Sequence, residues 1–107
     1  MVSYRDKITA LGTTSTIAFD GNVAPSYTAT LNGNITLNNS SFTNYASGAS
    51  VTAIFTQDGT GSRILTSTQI KWAGASSTLS TAAGAIDIVN FYYDGTTWYG
   101  SLVKGYA

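Results

Sequence analysis

The sequence predicts an all-β fold: an antiparallel, jelly-roll-like β-sandwich of about seven to eight short strands that ends in a β-hairpin. Three observations carry this reading. β-branched and hydroxyl residues dominate, and glycines interrupt every window of helical length. Where apolar residues cluster, they alternate with polar ones at a period of two. Turn signals recur at the spacing of a sandwich or barrel. With 107 residues the chain is long enough for one domain with a small core.

The elements follow in order. Residues 1–16 are set apart as an N-terminal arm or docking segment, ahead of a β-sandwich module at 17–107. The stretch "SYRDKITALG" carries three of the ten charges, and reads equally as a docking arm or a frayed terminus. Ile17 to Asp20 is a short strand. Pro25, the only proline, marks the approach to a strand at Tyr27, where a missing N–H costs little. Tyr27, Ala29 and Leu31 alternate with Thr28 and Thr30. Ile35 and Leu37 resume after Asn32-Gly33, so 27–37 is expected to be a tight hairpin. Asn38 to Gly48 reads as a long connection anchored by Phe42 and Tyr45. Strands are expected at Ser50–Thr56, Arg63–Thr66 and Ile70–Ala73. Ala75 to Gly84 is a second connection, with a short strand around Leu79. Ala85–Tyr93 is the strongest strand, and Thr97–Val103 pairs with it. No internal repeat of fixed period is visible.

Composition narrows the function. Charged residues make up 9% of the chain, five cations against five acids, and every acid is Asp. A nucleic-acid binder normally carries a basic patch, and none is visible. Aromatic content of 12% supplies burial that a disordered chain lacks. A neutral surface of hydroxyls and amides is poorly protected against self-association, which points to an assembly. Without cysteine there is no disulfide, thiolate nucleophile or thiolate metal site. The N-terminal stretch lacks the apolar run of a signal peptide, and no segment approaches the ~20 apolar residues that span a bilayer. No membrane insertion is expected.

Candidate chemistry is sparse. "TQDGTGSR" at 56–63 has glycines and hydroxyls that could wrap a phosphate. A P-loop, however, needs Gly-Lys-Ser/Thr and a following helix, and here a strand-like "ILTSTQIKW" follows. The turn reading prevails: Asp tolerates turn geometry and Gly supplies positive φ. "YDGTTW" at 93–98 repeats this grammar in a hairpin. There is no His, Cys or Glu, so a general acid or base would have to be Asp, Lys or Tyr. Asp58 and Asp94 have turn roles, and Asp87 sits mid-strand. No catalytic residue, cofactor site or metal site is assigned. On the Ala85–Tyr93 strand, Val89, Phe91 and Tyr93 share one face and Ile88, Asn90 and Tyr92 the other. Both faces are partly apolar, as in a central strand or one covered by a neighbouring subunit. The residues singled out for an interface or glycan contact are Tyr92, Trp98, Tyr99 and Trp72, with core packing favoured over ligand stacking for the rings.

The order of three stretches resembles a β-rich module of tailed-bacteriophage tail fibres and related virion structural proteins. These are "FDGNVAPSYTATLNGNITL", "GASVTAIFTQDGTGSRIL" and "IKWAGASSTLSTAAGAIDIVNFYYDGTTWYG". The likeness covers about Ile17 to Gly100. The chain departs at "WAGAS", which has one glycine where two are common. The resemblance implies a non-enzymatic virion protein, of tail-fibre, head-fibre or capsid-decoration type, made in the host cytoplasm and carried on the phage particle. It implies a homotrimer, contact with other virion proteins, and a role in assembly and host-surface attachment through a glycan. The family brings no established functional residue. The alternative is a monomeric carbohydrate-binding module built on exposed aromatics.

Overall fold

The computed structural model describes residues 8–106. Of the arm expected at 1–16, the first seven residues lie outside that range. Residues Ile8–Thr14 form a strand, β1, on the edge of the largest sheet, parallel to β3.

After β1 come β2 (Phe19–Asp20), β3 (Ser26–Leu31), β4 (Ile35–Leu37), β5 (Phe42–Thr43) and β6 (Ser50–Gln57). Then follow β7 (Leu65–Ser67), β8 (Ile70–Trp72), β9 (Ile86–Tyr93) and β10 (Trp98–Tyr106). A six-stranded sheet has the order β1-β3-β6-β9-β10-β8. Two small sheets pair β2 with β5 and β4 with β7. From β1 to β6 the chain therefore visits the large sheet, leaves through the small ones, and returns one strand further along; after β7 it returns at the far edge as β8, and β9 and β10 fill the space between β6 and β8. This is the path of a short β-solenoid, closed at one end by the β9–β10 hairpin.

The all-β expectation is met, and the hairpin at the end is present. The antiparallel sandwich is corrected to a mixed arrangement. Among the described residues five strand pairings are parallel, and only β6–β9 and β9–β10 are antiparallel. Period-two alternation is common to both kinds of ladder, so it could not choose between them.

The expected hairpin at 27–37 is also corrected. β3 and β4 belong to different sheets. A two-residue Asn-Gly hairpin needs positive φ at both central residues, and neither Asn32 nor Gly33 has it. Their segment is instead a corner of the coil. A Cβ on Gly33 would stand 2.9 Å from the Cβ of Ser15, so glycine is there for close approach between rungs. Asn34 Oδ1 accepts from the Ile64 amide of the next rung at 3.0 Å. Leu79 is buried but lies in no strand, and β5 falls inside the connection expected at 38–48.

Alternation sorts the core. Tyr27, Ala29 and Leu31 on β3, Val51, Ala53 and Phe55 on β6, and Val89 and Phe91 on β9 point inward. Phe42 stacks on Trp98 at 3.9 Å between ring centroids, and Trp98 stacks on Tyr93 at 4.7 Å. Phe19 closes the cluster against Phe42 and Phe91. Each such buried ring stabilises by roughly 1.5–3 kcal/mol from area alone. The expectation that Phe42 and Tyr45 anchor their connection holds: both rings pack on Trp98.

Candidate functional site

The polar residues that looked chemical are structural pins. Asp58 Oδ1 accepts from the amides of Thr60 and Gly61, and its carboxylate binds Arg63 at 2.8 Å. The Arg63 hydrogen bond, aided by those amides, holds the Asp58 carboxyl below the usual carboxylate range. "TQDGTGSR" is thus the corner between β6 and β7, with positive φ at Gly61 and Ser62. Asp94 does the same in the β9–β10 turn. Its Oδ1 accepts from Thr97 and Thr96, which lowers its pKa, and Gly95 has φ +100°.

Two buried polar side chains brace the coil. Gln57 is 3% exposed. Its Nε2 donates to the carbonyls of Arg63 and Ser80, and its Oε1 accepts from the Arg63 amide. Asp87, 2% exposed, accepts from the Ser80 amide, the Ser80 hydroxyl and the Gly105 amide. Together they fix the 75–84 connection onto β6, β9 and the end of β10. Three hydrogen-bond donors satisfy the buried Asp87 carboxylate. Among the described residues no cluster of three or more His, Cys, Asp or Glu could hold a metal.

The four singled-out aromatics separate onto two sides of the large sheet. Trp98 is 3% exposed and stacked in the core between Phe42 and Tyr93. Trp72 packs edge-on to the buried Phe91, and its indole N–H donates to Ser67 Oγ at 2.6 Å. Its ring lies where a Gly100 side chain would be: a Cβ there would meet the indole at 2.7 Å. Since Gly100 shares the inward phase of β10 with Trp98, the Trp72 ring is on the core side. Tyr92 and Tyr99 are outward, 50% and 42% exposed. They are register partners on β9 and β10, and the Tyr99 hydroxyl donates to Asp94 Oδ2 at 3.0 Å, which fixes that ring.

Around these two tyrosines is a shallow, mainly apolar cleft of about 460 Å³. Its lining alternates along each strand. The outward residues are Tyr92, Asn90, Tyr99, Ser101, Lys71 and Ser50. Val51, Phe91, Gly100 and Trp72, which are on the inward phase of their strands, also line it. Lys71 and Ser50 were not singled out by sequence reasoning. Only the register reveals them: Ser50 pairs with Tyr92, Tyr92 with Tyr99, and Tyr99 with Lys71. One row across four strands thus brings together residues far apart in sequence.

The rest of the outer face differs. Further along the strands, Thr28, Ile54, Ile88 and Val103 form a second row, with Ile86 beyond it. Between the two rows, Thr52 donates from its hydroxyl to Asn90 Oδ1 at 2.9 Å. Ile88 and Tyr92 are four residue steps apart along β9, or about 13 Å at ~3.3 Å per residue.

A family described as "Putative phage tail fibre C-terminal domain" matches residues 10–98. The chain belongs to this family. The tail fibre domain is therefore a phage structural protein located in the virion, where it associates with other virion proteins. Domains of this family are in general structural and not enzymatic. No curated protein and no solved structure gives a match.

Proposed function

We propose that this tail fibre domain is a non-enzymatic assembly and attachment module. It associates as a homotrimer through the apolar part of its outer sheet face, and turns the tyrosine cleft toward host-surface glycan. The observation that carries this reading is the division of one sheet face into two zones. Ile54, Ile88 and Val103 give an apolar row on the outer face, of the kind that sister copies hide. Tyr92 and Tyr99 give paired, exposed rings beside amide and hydroxyl groups, suited to sugar stacking. The family match favours a tail position over a head-fibre or capsid-decoration one.

The alternative, a monomeric carbohydrate-binding module, draws on the same cleft and needs no covered row. Light scattering of the purified chain separates the two. The proposal expects a particle of three chain masses that Ile88→Lys converts to monomers of unchanged far-UV circular dichroism. A monomer at high concentration would overturn the trimer and leave the alternative standing.

A further inference from the structure

We propose that the cleft between β8, β9 and β10 selects an acidic saccharide, with Lys71 as the residue that reads the negative charge. The inference rests on the cleft being the glycan contact and names the class of sugar it takes. The row Ser50–Tyr92–Tyr99–Lys71 sets a hydroxyl, two phenol rings and an ammonium side by side, at the ~4.8 Å step between strands. A sugar ring lying on Tyr99 then has its substituents within reach of Lys71 on one side and Tyr92 on the other.

The charge inventory is what makes Lys71 specific. Among the described residues the cations are Arg63, Lys71 and Lys104. Arg63 is committed to Asp58 at 2.8 Å. Lys71 lines the cleft, and no carboxylate lines it. Asp94 stands beside Tyr99 at the edge of the cleft, where its carboxylate accepts from the Tyr99 hydroxyl and from the Thr96 and Thr97 amides. Lys71 is the charged side chain among the residues that line the cleft, and an ammonium on an apolar wall complements a carboxylate-bearing ring better than a neutral one. The rings supply sequence-tolerant stacking area, and Lys71 supplies the discrimination.

The test is a titration of the intact chain, followed by tryptophan and tyrosine fluorescence and by saturation-transfer NMR. The probes are sialyllactose, oligogalacturonate, its fully methyl-esterified form, lactose and a polyglutamate peptide. An acidic sugar is expected to bind about fivefold more tightly than its neutral counterpart, the scale of one exposed ion pair. The preference should shrink with added salt. Lys71→Gln should abolish the preference and retain the neutral binding. Tyr99→Ala should lose both, with the melting temperature as the check on folding. Equal binding of acidic and neutral sugars, unchanged by Lys71→Gln, overturns the charge reading and leaves the glycan contact intact. Binding of none of the sugars overturns the glycan contact itself. A preference for polyglutamate over every sugar overturns the saccharide assignment.

Discussion

Replacing Gln57 by Leu keeps the side-chain volume nearly constant and removes three hydrogen bonds of 2.8–3.0 Å. The carbonyls of Arg63 and Ser80 and the amide of Arg63 lose their partner in an interior where Gln57 itself is all but sealed from water. At a net ~1 kcal/mol per hydrogen bond the loss is about 3 kcal/mol. Burying the added apolar surface of Leu returns roughly 1 kcal/mol. The net cost is therefore about 2 kcal/mol, against a total of ~5–15 kcal/mol for a domain of this size. At ~4–8 °C per kcal/mol for about 100 residues, the melting temperature should fall by roughly 8–16 °C. Calorimetry at one fixed protein concentration measures this, because self-association would otherwise shift the transition by mass action. A change below about 0.5 kcal/mol, within the range of an ordinary surface substitution, would refute the idea that this amide holds three segments of the coil together.

The acid limb of stability follows from three carboxylates. Asp20, Asp58 and Asp94 are each depressed, by the Asn44 side chain, the Arg63 side chain and the Thr97 amide first in turn. Depressed carboxylates stabilise fully above their unfolded value near ~3.9 and lose that contribution as pH falls through the lower folded values. Urea midpoints should stay level down to about pH 5 and then drop, and Asp58→Asn with Asp94→Asn should flatten the drop; a wild-type midpoint level down to pH 2 would contradict this. At the alkaline end, desolvation leads the upward shift of the Tyr45 phenol, whose buried Oη has no hydrogen-bond partner. A raised phenol stabilises below its unfolded value near ~10 and loses that contribution as pH rises above it. Tyr45→Phe should be nearly neutral at pH 7 and more resistant than wild type above pH ~10; equal alkaline sensitivity of the two proteins would count against it.

Much of the strand content was legible, because alternation of Tyr27, Ala29 and Leu31 or of Val89, Phe91 and Tyr93 is a local property. The Asp58 and Asp94 turns were legible for the same reason: an Asp side chain caps amides two and three residues on. Parallel stacking was not. Ile8 opposes Ser26, Ser26 opposes Thr52, and Ile35 opposes Leu65, so the rungs differ in length and leave no fixed period to find. The Asn32-Gly33 pair misled because its glycine serves the close approach to Ser15 and not a reversed turn. At the site, Tyr92 and Tyr99 were found from their neighbours in the hairpin. Trp72 and Trp98 face the core, which alternation alone could have indicated for Trp98 opposite Tyr93. Lys71 required the β8–β10 register, a contact across the turn and the whole of β9.

The division of the outer face can be probed directly, since the chain has no cysteine of its own. Single Ile88→Cys and Tyr92→Cys variants would be assembled and exposed to a maleimide, with labelling rates compared to those of the same variants in urea. Strong protection at position 88 and near-full reactivity at position 92 are the predicted result. Equal rates at the two positions would contradict the account.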